Sequence, residues 1–212
     1  MNLGDSADSL TVGPSGSAIT EPITADGGGD PGDTASVAAG GLGIMTSGTV
    51  SISGFDTITV DQPITVGGSS TVTMDAEGAT VTLNINNLIT SNSGAIVLRA
   101  DDDLSFSATG GVASTSGNVT VSADDDSSGA GNGGALTMAD GAVINAGSRQ
   151  ISLSADEVIR IGQLVTTNAT GTAVSVISAN GAIEDAGDIG GADVSAFGTA
   201  TFIANNPAVG RI

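Results

Sequence analysis

The sequence predicts an all-β solenoid, and three observations carry that prediction. A unit of 22–24 residues recurs from about residue 47 onward. Within each unit, Val, Ile or Leu alternates with Ser, Thr or Asn, the period-2 pattern of strands with one face inward. No window keeps an apolar stripe at the 3.6-residue period of a helix, and Gly and β-branched residues fill every stretch.

The units open at Gly48, Ser70, Gly94, Gly117, Ser148 and Gly171, and a partial one, GTATFIANNPAVGRI, follows. Their first apolar strand positions are Val50, Val72, Ile96, Val119, Ile151 and Val174, spaced by 22, 24, 23, 32 and 23 residues. The long interval contains SSGAGNGG at 127–134, which reads as a surface insertion loop. Periods of this length suit stacked coils whose like strands lie about 4.8 Å apart. An antiparallel β-sandwich also has a strand every 8–12 residues, but the repeated unit favours the solenoid. The domains expected are an irregular N-terminal arm, capping or donor segment over residues 1–46 and solenoid repeats over 47–212. The arm holds three of the five prolines and the run GGGDPGD. About six to seven coils are expected.

Composition excludes several chemistries. The chain has 212 residues, no Cys and no His, and a formal net charge of −19. Lys, Trp and Tyr are also absent, and the basic residues are Arg99, Arg149, Arg160 and Arg211. There is therefore no disulfide, Cys-ligated zinc, thiol nucleophile, histidine base or P-loop lysine. The charge argues against nucleic acid and anionic membrane surfaces as partners. No apolar run approaches the ~18 residues of a membrane-spanning helix. The start, MNLGDSADSLTVG, lacks a basic and an apolar region and is not read as a signal peptide. An exported chain would then be a mature form or part of something longer.

Acids recur after the alternating strands, as in IVLRADDDLSF, VTVSADDD and ISLSADEVIRI. Asp101, Asp102, Asp103, Asp124, Asp125, Asp126 and Asp156 would stack at one corner of successive coils. Two readings stand. In the favoured one they are solvated corner charges that discourage sheet-to-sheet pairing. In the other they bind calcium, whose 6–8 oxygen ligands suit carboxylates with carbonyls. Neither known calcium-loop spacing is present. No cofactor is required on either reading.

Catalysis is disfavoured. Asp102 and Asp125 are a conceivable acid and base, but no His stands near them and the only aromatics are Phe55, Phe106, Phe197 and Phe202. Phe106 and Phe202 are expected in the core. Asn118 and Asn168 fit the glycosylation sequon, with chance the favoured origin in a Thr- and Asn-rich chain. Asn84, Asn86 and Asn87 are candidates for stacked amide ladders.

The stretches GNVTVSADDD, GGALTMADGAVINAG, RQISLSADEVIRIGQLVTT and VSVISANGAIEDAGD resemble haemagglutinin-type repeats of giant bacterial surface proteins. Those proteins are filamentous-haemagglutinin-like exoproteins and large repetitive adhesins. The resemblance implies a right-handed parallel β-helix, export to the cell surface or beyond, and a structural or adhesive role. It carries over no catalytic residues, and the secretion domain usual in such exoproteins has no counterpart here.

The favoured function is a non-catalytic extracellular subunit that stacks head to tail on copies of itself, because the C-terminal TATFIANNPAVGRI is still strand-like and apolar. The alternatives are a stalk module of a secreted adhesin, meeting surface glycans or other cells, and a carbohydrate-active β-helix.

Overall fold

The computed structural model describes residues 9–12, 22–28, 31–37, 43–78, 80–124, 134–189 and 191–205. Among them there is no helix, so none is long and apolar enough to cross a membrane. β1 spans Ser9–Val12, and a first coil follows with β2 at Ile23–Asp26, β3 at Thr34–Val37 and β4 at Ile44–Thr46. The second coil holds β5 (Val50–Phe55), β6 (Thr57–Val60) and β7 (Ile64–Val66). The third holds β8 (Val72–Ala76), β9 (Thr82–Ile85) and β10 (Leu88–Ser91). The fourth holds β11 (Ile96–Ala100), β12 (Asp103–Phe106) and β13 (Gly111–Ser114). The fifth holds β14 (Val119–Ala123), β15 (Leu136–Met138) and β16 (Val143–Asn145). The sixth holds β17 (Ile151–Ala155), β18 (Ile159–Ile161) and β19 (Gln163–Thr166). The seventh holds β20 (Thr172–Ser178), β21 (Ile183–Asp185) and β22 (Val194–Ala196), and β23 (Thr199–Ala204) begins an eighth turn.

Like strands stack into three parallel sheets, making a β-solenoid of about seven turns. Sheet A runs β2-β5-β8-β11-β14-β17-β20-β23, sheet B runs β1-β3-β6-β9-β12-β15-β18-β21, and sheet C runs β4 to β22 through every third strand. The six repeat markers pair with one another in register, from Val50↔Val72 through Val72↔Ile96, Ile96↔Val119 and Val119↔Ile151 to Ile151↔Val174. The 32-residue interval fits because its extra residues lie between β14 and β15. The insertion expected at 127–134 falls outside the described residues except for Gly134.

Alternation does what the sequence requires. Val72, Met74 and Ala76 of β8 point inward and are buried, while Thr73 and Asp75 between them are partly exposed. Each inward row continues through the stack, as in Ile52–Met74–Leu98–Val121–Leu153–Val176. The core is thus a column of aliphatic rows at strand spacing. Phe106 belongs to it at 2% exposure. Phe202 does not, since it continues the Val176 row but is 43% exposed on the last described strand.

The boundary drawn at residue 46 does not coincide with a break in the stack. β2, β3 and β4 pair in parallel with β5, β6 and β7, so the described part of the expected arm is another coil. Its inward rows are thinner, with Ala25 and Ala35 where later coils carry Ile, Leu, Met or Val.

Two local features keep the coils close. At the corner leading into sheet A, a Cβ on Gly94 would overlap the Ser70 carbonyl, and one on Gly117 would overlap the Gly94 carbonyl. Only glycine lets the backbones approach this closely. Gly54 (φ 72°) forms the bulge where the β5–β8 register shifts between Ser53 and Phe55. Buried hydroxyls also serve this corner: Ser91 Oγ donates to the Ser70 carbonyl, and Ser114 Oγ to the Gly94 carbonyl. These contacts explain polar residues at inward positions, since a buried hydroxyl needs a partner.

Candidate functional site

Three surfaces merit consideration: the acidic corner between sheets A and B, the groove beside sheet C, and the two ends of the stack.

At the corner, the three consecutive acids of the fourth coil face different ways. Asp101 Oδ2 accepts from Gly78 N at 3.0 Å, on the coil before. Asp102 Oδ1 accepts from Gly134 N and Asp103 Oδ1 from Ala135 N, both at 3.0 Å and both on the coil after. The triplet therefore ties three successive coils together through charge-assisted bonds to backbone donors. Asp124 adopts φ 60°, and its N–H donates to the Asp102 carbonyl. Asp156 is 8% exposed and its Oδ1 accepts from Asn180 Nδ2. Asp125 and Asp126 lie outside the described residues. Among the described residues, no group of three or more acidic side chains is placed to hold a metal ion.

Next to this corner, Arg99 answers Asp75 across the coils at 3.6 Å. The Glu77 carboxyl is pushed above the usual carboxylate range by partial burial, and further by the charges of Asp75, Asp101 and Asp26. The candidate amide ladder is replaced by mixed bonds. Asn84 accepts from Ser105 Oγ, while Asn86 and Asn87 donate to the side chain and carbonyl of Asp61. At the sequon positions, Asn168 Oδ1 accepts from Thr170 N and Oγ1, and Asn118 Oδ1 accepts from Gln150 N.

The groove is open and shallow, about 550 Å³, lined by residues such as Thr90, Ser114, Thr115, Asn145 and Thr167. Its lining offers hydroxyls, an amide and backbone groups, with no charged or aromatic side chain. It has the polarity to meet a neutral ligand but no acid–base pair to act on one.

The ends differ from the middle in what they leave open. At one end, Ile189, Phe197, Phe202 and Ile203 are 68%, 73%, 43% and 41% exposed. Here sheet A ends in β23, sheet B in β21 and sheet C in β22; at the other end the three sheets end in β2, β1 and β4. Asp185 stands in the inward row after Ile161. Asp193 is raised above the ordinary range by partial burial, then by Asp185 and, more weakly, by Asp188 and Asp140. Sequence reading found the apolar C-terminal strand but missed this acidic cluster, because its members come from a strand and loops of two different coils.

Comparison with protein-family models, with curated proteins and with solved structures gave no match. The fold and its surfaces define the class by themselves: a three-sheeted parallel β-solenoid with a largely aliphatic core and an acidic corner.

Proposed function

We propose that this chain is a non-catalytic extracellular structural protein, a solenoid subunit that stacks head to tail into a surface filament or fibre. The observation that carries the reading is the last described strand. Phe202 continues an inward row whose earlier members Leu153 and Val176 are 1% and 0% exposed, yet it is itself 43% exposed. Another coil laid on β23 would cover it and pair the open strand edge, which otherwise is a template for association. A contact between unlike ends does not close on itself and so propagates. The extracellular setting rests on the resemblance to exported repeat proteins.

Light scattering over a concentration series tests this. Growth of scattering with concentration, and fibres in negative stain, are expected. A monomer that persists at high concentration would overturn the reading and favour the adhesin-stalk alternative, in which further coils of the same polypeptide supply the cover.

A further inference from the structure

Twenty-three described strands in a three-strand coil make seven full coils and two strands over. The two extra strands lie at opposite ends and in different sheets. β1 extends sheet B one level beyond β2 and β4, and β23 extends sheet A one level beyond β21 and β22. Each end of the described stack is therefore a step, and the two steps complement each other in sheets A and B, while sheet C carries no extra described strand at either end.

We propose that the interface between copies is one split coil, in which β23 of one copy and β1 of the next lie side by side at the same level. This inference rests on the head-to-tail reading above and says which strands meet. In sheet A, β23 then pairs with β2 of the next copy; in sheet B, β21 pairs with β1 of the next copy. The inward rows continue across the seam. Phe202 lies over Ala25, a large side chain against a small one, and Ile183 lies under Leu10, both only partly buried within one copy. The outward row Thr24–Ser51–Thr73 of one copy continues the row Ser152–Ser175–Thr201 of its neighbour. Had both extra strands belonged to one sheet, they would compete for the same place.

The absence of native cysteine makes a direct test available. In the seam, Thr24 and Thr201 of neighbouring copies are register partners, so their Cα atoms lie about 4.8 Å apart, within the disulfide range. Within one chain they are separated by seven strand spacings, roughly 34 Å, too far to bridge. Oxidation of the full-length variant carrying Thr24→Cys and Thr201→Cys should give a ladder of covalent multimers on a non-reducing gel. A mixture of the two single variants should stop at dimers. The control pair Ser152→Cys with Thr201→Cys, two strands of one face but not seam partners, should give no ladder. Circular dichroism melts of all variants establish that each is folded. Fibres without a Thr24–Thr201 ladder would overturn the split coil while leaving head-to-tail stacking intact. A folded protein with neither fibres nor ladder would remove both. The seam also covers Asp185, so Asp185→Asn should lengthen the ladder; a ladder shortened by that change would overturn the β21–β1 half of the seam.

Discussion

Leu98 and Val97 are neighbours on β11, and the fold assigns them opposite fates. Leu98 is fully buried, held between Met74 on one side and Val121 on the other. Val97 faces outward between Thr73 and Thr120 and is partly exposed. Truncating Leu98 to Ala removes three carbons from a site whose neighbours are fixed at strand spacing and cannot collapse inward. Such a change costs about 2–5 kcal/mol, and the rigid column argues for the upper half. With a urea slope of about 2–3 kcal/mol/M for a chain of this size, the midpoint should fall by roughly 1–2 M. Val97→Ala loses some strand preference and little burial, so its cost should stay under about 1 kcal/mol. Equilibrium urea unfolding followed by far-ultraviolet circular dichroism compares the two. If Val97→Ala costs as much as Leu98→Ala, the register is displaced by one residue, because such a slip exchanges the faces of every strand.

Three other outcomes are expected. Gly94→Ala should destabilise by about 1–3 kcal/mol because its new methyl meets the Ser70 carbonyl, whereas Gly67→Ala, with only ordinary contacts nearby, should be near neutral in the same urea assay. Glu77 and Asp193 are both raised in the folded chain, so the folded state holds protons more tightly than the unfolded one. Stability from these groups is full below their ordinary values of 4.5 and 3.8 and is lost as pH rises through the raised values. The melting temperature should therefore climb on mild acidification from pH 7, and Glu77→Gln should weaken that climb. Thermal melts with calcium and with a chelator should coincide, because Asp101, Asp102 and Asp103 already accept backbone hydrogen bonds; a large calcium-dependent rise would make the corner a cation site.

The repeat was legible because its spacing and alternation are the physical requirements of stacked strands. Val50, Val72, Ile96, Val119, Ile151 and Val174 could be placed in one row from the sequence, and they do form one. The first coil was not legible. Its strands are three or four residues long, its inward positions are partly Ala, and GGGDPGD interrupts the period, so composition there suggests an arm. The corner acids were legible as a corner but not as ties. The direction in which Asp101, Asp102 and Asp103 turn depends on which backbone N–H groups the adjacent coils leave free, and that is decided by loops 23 and 32 residues away.

Electron microscopy of the assembled protein tests the stacking most directly, through the axial rise per subunit. A split coil places successive copies eight strand levels apart, so fibres should show a rise of about 38 Å, with the ~4.8 Å strand repeat running along the fibre axis. Strands running parallel to the fibre axis, with the ~4.8 Å repeat across it, or a monodisperse monomer at every concentration tried, would contradict it.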